Sequence, residues 1–104
     1  MTGPHIRINL LGGLRAQVGN RTVQNFETRK AAELLSFLAL NPGRVYSRDY
    51  LAELLWPDED PEPTRARFRQ VLSSIRRSLG DESLFGGERG YLSLRSECVD
   101  TDLQ

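Results

Sequence analysis

Residues 47–80 read SRDYLAELLWPDEDPEPTRARFRQVLSSIRRSLG, and the division of this stretch decides the fold. Ser47 is an N-cap residue ahead of RDYLAELLW, in which Leu51, Leu54 and Leu55 share one helical face. Trp56 precedes Pro57, and a residue before proline is pushed out of the helical region. The acidic run DEDPEP (58–63) is therefore a link. Pro61 and Pro63 are tolerated in a first helical turn, whose N–H groups lack intrahelical partners anyway, and Gly80 suits a left-handed stop. The spacing predicts one helix ending at Trp56 and another over 61–79.

In projection at about 100° per residue, Phe68, Val71, Leu72, Ile75 and Leu79 form one apolar stripe on the longer helix. Arg69, Gln70, Ser73, Ala66 and Arg77 lie opposite, with Arg65 and Arg76 at one border and Arg67 at the other. Residues 61–80 hold five arginines against one glutamate. A helix meant only for water balances its cations with glutamates at i,i+4; this one does not. Arginine forks match phosphate oxygens and the guanine edge, and glutamine can pair with adenine, so the outer side has the chemistry to read a groove. A salt-bridged face or one that docks an acidic partner is the competing reading.

Outward from this pair, the period changes on both sides. TRKAAELLSFLALNPG (28–43) places Ala31, Leu34, Leu35 and Leu38 on one face, with Thr28 as cap and Asn41-Pro42-Gly43 as stop, which predicts a first helix. Leu34, Leu35, Leu38, Leu51, Leu55, Phe68, Leu72 and Ile75 are the expected core. Before it, Ile6, Ile8, Leu10, Leu14, Ala16, Val18 and Val23 alternate with polar residues, broken at Gly12-Gly13 and Gly19-Asn20, which predicts a three-stranded antiparallel meander. After Gly80, alternation resumes at Tyr91–Arg95 and Val99–Leu103, which predicts a C-terminal hairpin.

Composition excludes several function classes. A chain of 104 residues supports one domain, read as a sheet over 1–27, a three-helix core over 28–80 and a hairpin over 81–104. No run of apolar residues is long enough to span a bilayer and the N-terminus lacks a signal-peptide pattern, so a cytoplasmic protein is expected. Cys98 and His5 are each the sole residue of their type; no metal site or cofactor is expected, and Cys98 reads as a packing residue. With no nucleophile constellation or phosphate loop, the chain is not expected to be an enzyme. A hydrolase built on the carboxylates of DED (58–60) fails because no base or metal histidine accompanies them. The net charge is zero, but the acids gather in RDYLAELLWPDED, so the chain reads as a dipole with one basic face.

Sheet, three helices and hairpin in this order, with the quoted pair as a helix-turn-helix and the hairpin as its wing, give an α+β winged helix-turn-helix domain. The segments LLGGLRAQVGNR, RKAAELLSFLALNPGRVYSRDYLAELLWPDEDPE, RARFRQVLSSIRRSLG, GYLSL and VDTDLQ resemble the OmpR-type DNA-binding domain. Within that group they resemble the N-terminal domain of the Streptomyces antibiotic regulatory protein family of bacterial transcriptional activators. LLWPD and the spacing at 75–79 are the most specific features; Phe68 stands where that pattern has leucine.

The resemblance implies sequence-specific binding of double-stranded promoter DNA, by protomers set side by side on direct repeats, and contact with RNA polymerase. A C-terminal activation domain follows in such proteins. It implies that Arg65, Arg67, Arg69, Gln70, Ser73 and Arg77 face the bases. Phosphate contacts are implied for Thr28, Arg29, Lys30, Arg48, Arg89 and Tyr91, since helix N-termini and basic wing tips suit anions. Trp56 is read as core, with its indole N–H as a phosphate donor by resemblance. With no heptad run or large apolar patch, a monomer is expected away from DNA.

Overall fold

The computed structural model describes residues 6–80 and 82–102; His5 and Leu103 lie outside them. Chain order is strands β1 (Ile6–Asn9), β2 (Arg15–Val18) and β3 (Arg21–Val23), then helix α1 (Arg29–Leu40). Strand β4 (Tyr46–Ser47) and helices α2 (Arg48–Leu55) and α3 (Pro61–Leu79) follow, then strands β5 (Phe85–Gly86), β6 (Tyr91–Leu94) and β7 (Val99–Thr101).

The helix ends obey the local rules. The Thr28 hydroxyl accepts from Ala31 N and the Ser47 hydroxyl from Tyr50 N, so each cap satisfies an N–H that the first turn leaves without a partner. Both prolines sit in the first turn of α3, and Gly80 closes it at φ 73°, where a side chain would be strained. All eight expected core residues are buried. On α3 alone, Phe68, Val71, Leu72, Ile75 and Leu79 are covered, each worth about 1.5–3 kcal/mol of transfer free energy. Cys98 packs half-buried against this core.

The meander forms as expected, with Ile6 opposite Val18 and Ala16 opposite Val23. Its partner at the other edge differs from expectation. The run beginning at Val99 does not fold back on Tyr91–Arg95; it lies parallel to β1, with Ile6 beside Val99 and Ile8 beside Thr101, so the sheet has four strands in the order β3-β2-β1-β7. Burial explains the choice: Val99 and Thr101 are covered beside the buried Ile6 and Ile8, which an exposed hairpin could not offer. The Asp102 carboxylate fixes the join by accepting from Leu10 N at 2.8 Å and Leu11 N at 3.0 Å. These bonds, Leu10 first, hold its carboxyl below the usual range.

The hairpin instead pairs β5 with β6, Phe85 opposite Leu94 and Gly86 opposite Ser93. Its turn uses Gly87 at φ 109°, where a Cβ would stand 2.9 Å from the Tyr91 carbonyl oxygen. Strand β4 pairs with the other edge of β6, and Arg48 N donates to Gly90 O at 2.9 Å, so the wing is tied to the start of α2. No helix among the described residues is long and apolar enough to cross a membrane.

Candidate nucleic-acid interface

Helices α2 and α3 are joined by the link 56–60, which turns at Asp58 with φ 65°, a conformation aspartate tolerates better than most side chains. With its inner side sealed, α3 presents Arg65, Arg67, Arg69, Gln70, Ser73 and Arg77 to solvent, all six of the residues assigned to base reading. The fifth arginine, Arg76, is half-buried with its guanidinium 5.6 Å from the centre of the Phe85 ring, and so braces the wing against the helix.

The six are not equivalent. Arg65 Nε lies 3.2 Å from Asp49 Oδ1 of α2, Arg77 lies 2.8 Å from Glu27 Oε1 ahead of α1, and Arg67 pairs with Glu59 of the link. The Arg77 guanidinium holds the Glu27 carboxyl below its usual range. Between these pairs, Arg69, Gln70 and Ser73 form no ion pair or side-chain hydrogen bond among the described residues. The centre of the face is open and both ends are internally neutralised. Sequence reading missed the three carboxylates, whose partners lie 16, 8 and 50 residues away.

A cleft of about 850 Å³ runs beside this face, lined among others by Thr28, Lys30, Trp56, Arg69, Ser73 and Arg77. Trp56 is half-buried against the core while bordering the cleft, which accommodates both readings of it. A second hollow of about 200 Å³ brings Arg48, Arg65 and Arg69 together with Gly90 of the wing. Arg48 Nε is buried there and has no hydrogen-bond partner among the described residues. Arg89 and Tyr91 are exposed on the wing.

Three assigned phosphate contacts are placed differently from these. Lys30 Nζ donates to the Leu55 carbonyl at 2.6 Å and also pairs with Glu33 at 3.5 Å, so it joins the start of α1 to the end of α2. Thr28 spends its hydroxyl as an acceptor in the cap. Arg29 does not line the cleft that its neighbours Thr28 and Lys30 border, and instead borders a separate hollow with Leu10, Phe37 and Leu40.

Residues 25–90 match the family model described as "Transcriptional regulatory protein, C terminal". The chain belongs to this family. The match covers all three helices and the first strand and turn of the wing, and stops at Gly90 before β6. Regulatory protein AfsR of Streptomyces griseus is 29% identical over 102 residues, covering 98% of this chain. The chain spans only about 10% of the length of AfsR. EmbR of Mycobacterium tuberculosis, solved in complex with a low affinity phosphopeptide, superposes with a TM-score of 0.73 at 21% identity, over 93% of this chain and 27% of EmbR. That likeness is one of fold. Together these findings bear out the resemblance carried by the quoted segments: this family member is a winged-helix domain of transcription regulators.

Proposed function

We propose that the domain binds double-stranded DNA sequence-specifically in the control of bacterial transcription, with α3 in the major groove and the wing against the flanking backbone. The observation that carries this reading is the unpaired centre of α3. Arg69, Gln70 and Ser73 project side by side from a helix whose other side is locked in the core, with no competing partner among the described residues. Arginine and glutamine there offer the donor pattern that guanine and adenine edges accept. Arg48, at the start of α2 beside Gly90, and Arg89 on the wing supply the flanking phosphate contacts.

Specificity implies promoter targets, and the family points to a regulator acting in the cytoplasm without chemistry of its own. Side-by-side protomers on direct repeats, a monomer in free solution and contact with RNA polymerase belong to the same proposal. Tyr50, Leu54 and Pro57 border a hollow on α2 and Tyr50 and Leu54 are exposed, which leaves an apolar surface beside the acidic link for the polymerase.

Selection from random duplexes tests the reading: a shared motif should emerge, and binding to it should weaken by orders of magnitude from low to moderately high salt as roughly four to eight phosphate contacts are lost. A flat salt response, or no enrichment, would reject it. An acidic protein partner that duplex DNA fails to displace would favour the interaction-module reading instead.

A further inference from the structure

We infer that Asp49, Glu59 and Glu27 are built-in counter-ions of the α3 reading face, which DNA must displace, and that they set the affinity of the domain below what its arginines alone would give. The inference rests on the DNA-binding reading above. Its ground is an arrangement: three carboxylates from three different elements, the first turn of α2, the link before α3 and the segment before α1, each contact one arginine of the same face. The pairs bracket the helix, Arg65 and Arg67 toward one end and Arg77 toward the other, and leave Arg69 between them without a carboxylate among the described residues.

Two costs follow when such a face meets DNA. Each paired guanidinium must give up a carboxylate before it can take a phosphate or base edge. Each released carboxylate then stays within about a Debye length, some 8 Å at physiological ionic strength, of the phosphates that replaced it. The pairs are solvent-exposed, with side-chain exposures of 58% for Arg65 and 71% for Asp49, so each is weak and exchangeable. That places them in a useful range: strong enough to attenuate binding, too weak to forbid it. The same contacts admit an opposite role, in which a carboxylate orients its arginine toward the groove and strengthens binding. The two roles differ in sign.

The test is the affinity of the whole chain for a random-sequence duplex and for a duplex recovered by selection, at one fixed salt concentration. Asp49→Asn, Glu59→Gln and Glu27→Gln should each tighten binding to both duplexes by about 1.4- to 5-fold. If the three effects add, the triple variant should gain about 3- to 125-fold; Asp49 and Glu59 line one hollow with Arg65, so coupling between those two would show as a departure from the product of the single effects. Glu53→Gln, which changes net charge equally at a residue with no ion pair among the described residues, serves as the control and should change affinity by less than any of the three. Weaker binding in the variants establishes the orienting role and overturns the inference; an equal gain in Glu53→Gln reduces it to bulk charge and overturns it as well. Should Glu27→Gln disturb the start of α1, the Asp49 and Glu59 variants decide alone. A wild-type chain that binds neither duplex defeats the DNA reading itself, an outcome distinct from wild-type binding that the substitutions leave unaltered.

Discussion

The inner and outer faces of α3 belong to one helix and answer to different physics. Inside, Phe68, Leu72 and Ile75 are almost wholly removed from water, and close packing leaves them no freedom. Outside, every assigned contact residue is exposed, and its role depends on which partner it holds at the moment. The difference teaches that burial identifies the residues that keep the fold, whereas exposure alone does not identify the residues that act. Arg65, Arg67 and Arg77 hold carboxylates, and Arg69 holds none among the described residues. Lys30, assigned to the interface by sequence, is engaged in joining two helices.

The largest effect that sharpens this contrast is on the inner face. Ile75→Ala should lose about 2–5 kcal/mol of stability through lost burial and a cavity, measured by chemical denaturation; a loss comparable to that of an outer-face substitution would break the distinction. Next, Arg69→Ala should leave the melting temperature nearly unchanged and cost about 1–3 kcal/mol of affinity for a selected duplex, relaxing preference at one base pair. If matched and mismatched duplexes lose the same factor, Arg69 is a phosphate contact and base reading passes to Gln70 or Ser73.

Lys30→Ala and Arg89→Ala form a third comparison. The lysine variant should lose about 1 kcal/mol of stability with the bond to the Leu55 carbonyl. The arginine variant should keep its stability and bind all duplexes more weakly, with a salt slope shallower by about one contact. The smallest effect is that of pH on the Glu27–Arg77 pair. The folded-state pKa of Glu27 is depressed, so its contribution is fully present above the ordinary glutamate value and is lost as pH falls through the depressed one. The stability difference between wild type and Glu27→Gln should therefore narrow on acidification across that window, and a difference that widens there would contradict the pairing.

Sequence carried far where the signal is local. Caps at Thr28 and Ser47, the Asn41-Pro42-Gly43 and Trp56-Pro57 stops, the prolines of α3 and Gly80 each act within a turn of their own position, and the ends of α1, α2 and α3 follow from them. The projection of α3 sorted covered from exposed residues for the same reason. It failed where the partner is distant. Alternation at Val99–Thr101 announces a strand but cannot say that Ile6, rather than Tyr91, lies beside it. The two-residue β5 is too short to show a period, so alternation registers only from Tyr91, although the hairpin is built through Phe85 and Gly86. Asp49 and Glu59 read as part of a separate acidic population and Glu27 carried no reading, because nothing in their spacing brings them to α3; tertiary packing does.

The parallel seating of β7 against β1 also has a mechanical meaning. Traction applied at Ile6 and Thr101 pulls the two strands past each other along their length, so their hydrogen bonds share the load and must fail together. The wing, an antiparallel hairpin closed at Gly87–Gly90, would peel one bond at a time from its open end. The seam between β1 and β7 is thus stiffer under tension along its length than the wing, whose tip lies beside the exposed face of α3.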